Sequence, residues 1–399
     1  MTDSRDLNEL RFTEAADVYK GGRLAASLER VPGTGIRFSY RPGYEGAAEA
    51  MPVASTLPFE AGEVTSGGGS LPAFFAGLLP EGRRLTVLRS ALKTSLDDEL
   101  TLLLAVGADL PGDVQVVPRG SDPAEPPSAV SGGLSEQEFS ALVDEIDRHG
   151  LPGVQDKLSA EMISSPVALE AGRFILKLDP PAYPHLVQNE AAHLVAARGL
   201  RLPVSDATIV HDRVGAEGLL VRRFDRVRVA DGWRRLPLED STQALGLPPA
   251  DKYRIDAADA VGALAVLCAA PAVAVRNLYL QFVFAWLTGN GDLHGKNVSA
   301  LGDGEGRMAI APIYDVPCTL LYGDDSLGLP VAGCTTRLRL RHWDEFADAI
   351  GLPQRAARSS NAIALRAAAG VDLSALPFTG SPLKGAEREL RFRRAELTV

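Results

Sequence analysis

A chain of 399 residues, 46% apolar and 23% charged, has the length for two or three domains and the apolar content for a packed core, which excludes a fibre or a disordered polymer. Asp and Glu outnumber Lys and Arg by 51 to 41, a net charge of −10, which argues against direct binding of DNA or RNA phosphates. The cysteines Cys268, Cys318 and Cys334 are odd in number and widely spaced, and the opening MTDSRDLNEL is polar and acidic, so a reducing cytoplasm without a secretory leader is expected.

From Ala16 to Tyr40 short alternating runs broken by glycine predict the hairpins of a small sheet. From Pro72 the apolar spacing turns helical, and Leu96 to Gly107 predicts a second helix with Asp97 and Asp98 at its positive end. Pro118 to Gly133 concentrates Pro, Gly, Ser and Asp and reads as a linker. Ser135 and Glu138 have the spacing of a capping box that opens a helix to about Arg148. Strands follow at KLSAEMI and GRFILKL, then a helix near Gln188 to Ala197 and a strand at Glu217 to Arg223. Tyr253 to Leu287 is the longest Ala, Leu and Val stretch; its most apolar part, Ala260 to Val275, contains Pro271, is shorter than a span of about 20 residues and reads as a buried helix pair. A polar loop from Gly289 to Asn297, a β-like pair (VSAL and MAIAPIYDV) and further helices complete the chain.

The sharpest chemical signal is GNGDLHGKN, Gly289 to Asn297. In a loop, D-x-x-x-x-N lets the Asp292 carboxylate face an attacking hydroxyl while the Asn297 amide oxygen holds a divalent cation on the same side. Asp315, at the end of a short apolar strand, supplies a second hard oxygen of the kind Mg²⁺ takes beside substrate phosphates. Alone, each of these residues reads as a turn former; their order gives them meaning. G-D-x-H-G also opens metallophosphoesterase sites, but with six histidines and no G-N-H setting the further ligands of two metals are lacking.

A kinase also needs a cation on the nucleotide phosphates. With seven lysines against thirty-four arginines, Lys177 in the strand FILKLD is a marked choice, and Glu190 on the next helix is a candidate to orient it. Leu151 to Ala160 (LPGVQDKLSA) precedes that strand and reads as a covering loop, although it matches neither G-x-G-x-x-G nor a Walker loop. Glu217 to Arg226 has the character of a hinge, with Phe224 available to an adenine ring.

The strings FFAGLLPEG, GVQDKLSA, FILKLD, NEAAHLVAARGL, VRRFDR, EDSTQALGLPPADKY, GNGDLHGKN and PIYDV follow one another over about residues 70 to 320. In this order the chain resembles HipA-type serine/threonine kinases, the toxins of bacterial toxin–antitoxin pairs. The resemblance implies an α+β, two-lobed protein-kinase-like fold: a β-rich N-terminal subdomain (1–118), a kinase N-lobe (119–224) and a mostly helical C-lobe (225–399). It implies ATP and Mg²⁺, with Asp292 as catalytic base and Asn297 and Asp315 as magnesium ligands. Lys177 would hold the α and β phosphates. Pro152, Gly153, Val154, Gln155, Asp156 and Lys157 would cover the nucleotide, Arg222, Arg223 and Phe224 would meet adenine, and His294 and Lys296 would line the phosphate side. A protein Ser or Thr, in known cases of an aminoacyl-tRNA synthetase, would be the acceptor, and growth arrest the outcome. A small helix-turn-helix HipB-like antitoxin would be the partner, with DNA reached only through it and no membrane involved. Outside this reading stand a small-molecule kinase of aminoglycoside type and a catalytically idle co-repressor that binds the antitoxin. Two departures mark the chain: RHGLPGVQDK has Gly150 and Pro152 and no hydroxyl where the family carries a self-phosphorylated serine, and Arg222 stands where Glu is frequent.

Overall fold

The computed structural model describes residues 9–33, 35–124, 133–139, 162–230 and 232–398. The first unit is an antiparallel sheet of β1 (Ala15–Lys20), β2 (Arg23–Val31), β3 (Gly35–Tyr40), β4 (Val64–Ser66) and β5 (Val114–Pro118), in the order β4-β3-β2-β1-β5. Gly21 and Gly22, with φ of 56° and 80°, supply the positive dihedrals of a two-residue hairpin and pair Lys20 with Arg23. One face buries Ala16, Val18, Leu28 and Phe38 against helices α1 (Ala73–Gly77), α2 (Gly82–Leu92) and α3 (Glu99–Val106). The helix expected from Leu96 begins at Glu99, because Asp98 is engaged by Arg30 at 2.6 Å and by the Thr94 hydroxyl at 2.7 Å.

The second sheet holds β6 (Ile163–Leu169), β7 (Gly172–Leu178), β8 (Ala207–His211) and β9 (Glu217–Arg222) in the order β6-β7-β9-β8, with α4 (Leu186–Ala197) between β7 and β8 in the chain. The strand expected at KLSAEMI instead runs from Ile163 through Pro166, a residue tolerated there because β6 is an edge strand. Near Ser135 the structure has a 3-10 turn, Leu134–Glu136, followed by extended Gln137; the Phe139 N–H goes to Asp212. Residues 140–161, where the expected helix continues and the expected covering loop lies, are outside the described residues.

The third part contains β10 (Arg226–Val229), β11 (Gly232–Arg235), β12 (Leu238–Asp240), α5 (Ser241–Ala244), α6 (Ala257–Leu267), α7 (Pro271–Thr288), β13 (Ser299–Gly302), β14 (Met308–Ile310), α8 (Leu340–Ala349), α9 (Gln354–Ala368) and α10 (Gly380–Glu396). α7 is its axis: Tyr279 packs on Trp343 and Phe346 of α8, Phe282 on Phe346, and the alanine face of α9 shares this core. α10 clamps the end of α7, where Arg393 lies 3.6 Å over the Trp286 ring and donates to the Trp286 carbonyl, while Arg394 donates to that of Leu287. Two cations thus sit on the negative end of the helix that leads into the polar loop. Among the described residues no helix is long and apolar enough to cross a membrane.

A buried ionic cluster ties the first unit to the rest. The Asp225 carboxylate receives Arg223 at 2.9 Å, Arg226 at 2.7 Å and the Gly112 N–H at 2.8 Å, and both arginines also reach Asp109. Burial pushes the Asp225 carboxyl up, but the two guanidinium groups outweigh it and hold it low. Removing one member of a buried, hydrogen-bonded group strands its partners. Asp225→Ala is therefore expected to lower the unfolding free energy by about 3–5 kcal/mol, read by urea denaturation; a loss under about 1 kcal/mol would show the cluster to be worth no more than a surface pair.

Candidate active site

Every residue of α7 from Leu278 to Thr288 is buried, so the loop that follows starts from a rigid base. Gly289 turns the chain with φ 76°; a Cβ there would lie 2.5 Å from Leu320. The loop then closes on itself. The Asp292 N–H donates to Asn290 Oδ1 at 2.9 Å, Asn297 Nδ2 donates to the Asp292 carbonyl at 2.9 Å, and the Gly291 N–H donates to Thr319 Oγ1 at 2.8 Å. Because the Asn297 nitrogen is occupied in this way, planarity aims its amide oxygen elsewhere.

The segment EDSTQALG packs against this loop. The Gly295 carbonyl accepts from the Ser241 N–H and hydroxyl at 3.0 and 2.7 Å, and its N–H donates to the Lys252 carbonyl at 2.9 Å. A Cβ on Gly295 would come within 2.4 Å of Thr242 Oγ1. Asp240 and Gln243 form a capping box on α5, and Gln243 Nε2 donates to the Phe74 carbonyl at 2.9 Å, so FFAGLLPEG and EDSTQALG, far apart in sequence, are one docked pair.

Lys177, on β7, donates to both carboxylate oxygens of Glu190 at 2.8 and 2.9 Å and to Asp315 Oδ1 at 3.0 Å. Burial would lower its pKa, yet Asp315 and Glu190 more than compensate and hold the ammonium charged; the Glu190 carboxyl is raised by its own burial. Asn189, beside Glu190, donates to the Cys318 carbonyl at 3.0 Å and accepts from the Cys318 N–H at 2.9 Å, fixing α4 to the segment that carries Asp315. Asp315 has φ 58°, a left-handed conformation costly for a side-chain-bearing residue and concentrated at functional sites.

A cavity of about 360 Å³ opens between the three parts of the molecule. Lys177, Asp315, Lys296, Arg222, Arg223 and Phe224 line it; Asp292, His294 and Asn297 are not among its lining residues, although Lys296 of the same loop is. The Phe224 and Tyr314 rings are 5.5 Å apart at one end, and the Tyr314 hydroxyl donates to the Lys296 carbonyl at 2.7 Å. The Arg223 guanidinium is committed to Asp109 and Asp225, and that of Arg222 lies 4.9 Å over the Phe174 ring. His294 accepts the Lys296 N–H on Nδ1 at 3.2 Å, and burial pushes its pKa down, which favours the neutral ring. Pro152, Gly153, Val154, Gln155, Asp156 and Lys157 lie outside the described residues.

Several contributors have no sequence signal of their own. Leu78, Leu79, Pro80, Arg84 and Leu110 of the first unit wall the cavity. Glu81 pairs with Lys252 and, at 3.1 Å, with Lys296. Burial alone would raise the Glu81 carboxyl, but Lys296, Lys252 and His294 bring it down to about 2. Asp240, also on the cavity, is pushed up to about 6 by burial despite Lys296. Only the order GLLPEG, EDxxQALG and GKN in the sequence hinted that these segments belong together.

The donor set suits Mg²⁺: one carboxylate, Asp315, and one amide oxygen, Asn297, are hard ligands that leave places for phosphate and water. Among the described residues no group of three or more His, Cys, Asp and Glu side chains is gathered into a cage, the arrangement other metals favour.

A model of the HipA-like C-terminal domain matches residues 149–371, and one of the HipA N-terminal domain matches residues 16–117. The Sinorhizobium fredii protein named "Putative kinase Y4mE" is 31% identical over 380 residues, 87% of this chain and 89% of that one. The "Serine/threonine-protein kinase toxin HipA" of Shewanella oneidensis is 30% identical over 313 residues, 71% of this chain and 70% of its own. A chain of the solved Shewanella oneidensis toxin–antitoxin complex of HipA, HipB and operator DNA superposes with a TM-score of 0.74 at 22% identity, covering 96% of this chain and 95% of that one. That likeness shows the fold, the α+β kinase-like arrangement with a β-rich N-terminal part expected from the sequence.

Proposed function

The chain belongs to the HipA family, and from that premise we propose that it is an ATP- and Mg²⁺-dependent protein serine/threonine kinase acting as the toxin of a toxin–antitoxin pair. The observation that carries the reading is the junction of Lys177, Glu190 and Asp315 on a cavity that Lys296, from the Asp292 to Asn297 loop, also lines. The Lys177 ammonium has three donors, two on Glu190 and one on Asp315. An α or β phosphate oxygen would take over the third, and Asp315 with Asn297 would hold the cation. Bound Mg²⁺ supplies charge neutralisation on the β and γ phosphates. Arg222 to Phe224 form the adenine end, with the Phe224 and Tyr314 rings as its apolar floor. Lys296 and His294 stand on the phosphate side.

Asp292 is the base. It accepts the proton of the acceptor hydroxyl as that oxygen bonds to the γ phosphorus; the bond to the β-phosphate bridging oxygen breaks, and ADP leaves. The acceptor is a Ser or Thr of a protein, and an aminoacyl-tRNA synthetase is a candidate whose modification would stop growth. The partner is a HipB-like helix-turn-helix antitoxin, which carries any contact with DNA; an acidic chain needs no DNA surface of its own. The reading is tested by incubating purified full-length protein and γ-labelled Mg-ATP with cell lysate and, separately, with its small-molecule fraction. Label on protein Ser or Thr is the expected result. Label only on metabolites would assign a small-molecule kinase, and no transfer to either would leave an antitoxin-binding co-repressor.

A further inference from the structure

A line of contacts runs from the first unit to Asp292 through residues to which the reaction above gives no part. Glu81, at the start of α2, pairs with Lys252. The Lys252 ammonium lies 5.2 Å from the centre of the Tyr253 ring, and its carbonyl accepts from the Gly295 N–H at 2.9 Å. The Tyr253 hydroxyl donates to Asp292 Oδ1, and its ring meets that of His294 edge-on at 4.8 Å. Tyr253 is thus held on one face by a cation, on its edge by an imidazole, and at its tip by the carboxylate of the base.

We infer that Tyr253 is a positioning residue for Asp292, and that Glu81 and Lys252 make its placement depend on the docked N-terminal unit; this rests on the reading of Asp292 as the base. A carboxylate held by a fixed donor at one oxygen does not rotate about its last torsion, so its other oxygen keeps a constant direction toward the acceptor. A phenol suits the task because burial and the Asp292 charge push its pKa far up, so it donates at every working pH. Glu81 at the same time holds Lys296, whose ammonium also donates to the Gly77 carbonyl at 2.7 Å. One carboxylate of the N-terminal unit therefore touches both the lysine beside the base's tyrosine and the lysine of the loop.

The test uses the full chain with Mg-ATP and water as acceptor, reading phosphate release, and calorimetry for Mg-ATP affinity. Tyr253→Phe keeps the ring contacts and removes the donor. Its turnover is expected to fall about 10- to 100-fold, with the ATP KM and affinity unchanged within about twofold. Lys252→Ala is expected to share the loss and Lys252→Arg to restore most of it; a merely structural role would move affinity and turnover together. Wild-type or raised turnover in Tyr253→Phe overturns the inference, the raised value because the phenol would then be an occupant of the acceptor's place. Asp292→Asn run in parallel separates the two failures. If it is inactive while Tyr253→Phe is unaffected, the positioning role alone falls; if it turns over as the wild type does, the base assignment falls and takes the inference with it.

Discussion

Asp292→Asn is expected to lower phosphoryl transfer by about 10²–10⁴-fold, the range a general base contributes, while Mg-ATP affinity stays near the wild-type value. The loop reaches its shape through Asp292 main-chain groups, an N–H to Asn290 and a carbonyl from Asn297, and an asparagine keeps both. The side chain retains an oxygen for the Tyr253 hydroxyl but cannot accept a proton. Asp292 does not line the cavity that Lys177, Asp315 and Lys296 face, so the nucleotide loses no contact. Initial rates with γ-labelled ATP and calorimetry on the same preparation give both quantities. Unimpaired transfer would remove Asp292 from the chemistry; lost binding with lost transfer would make it a structural residue of the loop.

What could be read in the sequence is what short-range pattern encodes. β7 falls on GRFILKL residue for residue because its burial alternates strictly, with Lys177 on the half-buried face beside Ile175; the scarcity of lysine in the chain is what singles Lys177 out. The loop after α7 is visible because a polar run follows the apolar second half of a long helix, LYLQFVFAWL. By contrast β8 gives no clean alternation: it is an edge strand whose residues are half-buried or exposed. β10 and β11 form a two-stranded ribbon in which the RVRV alternation misleads: Val229 is exposed and Arg226 is the buried residue. The wall that the first unit contributes to the cavity was invisible for another reason. Leu78, Arg84 and Leu110 line the same cavity as Lys177 and Asp315 only through tertiary docking, and groupings of residues this far apart in the chain leave no periodic trace. Arg223 shows the limit of a motif. VRRFDR reads as a hinge facing the nucleotide, whereas the guanidinium and Asp225 also rivet two units together, a role no spacing rule reveals.

Lys177→Met is expected to cost both binding and stability. The ammonium lies between Glu190, whose side chain is 1% exposed, and Asp315. A methionine of similar length leaves two carboxylates facing each other with no cation, and removing one partner of a buried pair costs about 3–5 kcal/mol. The deficit is expected to depend on pH in one direction. Burial raises the Glu190 carboxyl even beside the lysine, and without the lysine the charged form is less favoured still. In the variant the folded state then binds a proton that the unfolded state does not, so stability rises as pH falls through the folded pKa of this group. In the wild type the Lys177 pKa is raised above its unfolded value; its contribution is complete at neutral pH and is lost only as pH climbs through that higher value. Urea denaturation of both proteins should therefore show a gap that narrows from pH 8 toward about pH 5. Lys177→Arg keeps the charge but replaces a compact three-donor group with a planar fork, so it is expected to recover stability and not transfer. A pH-independent gap would mean that Glu190 is already neutral in the variant at pH 8, and the balance of charges at the heart of the site would have to be redrawn around a single carboxylate.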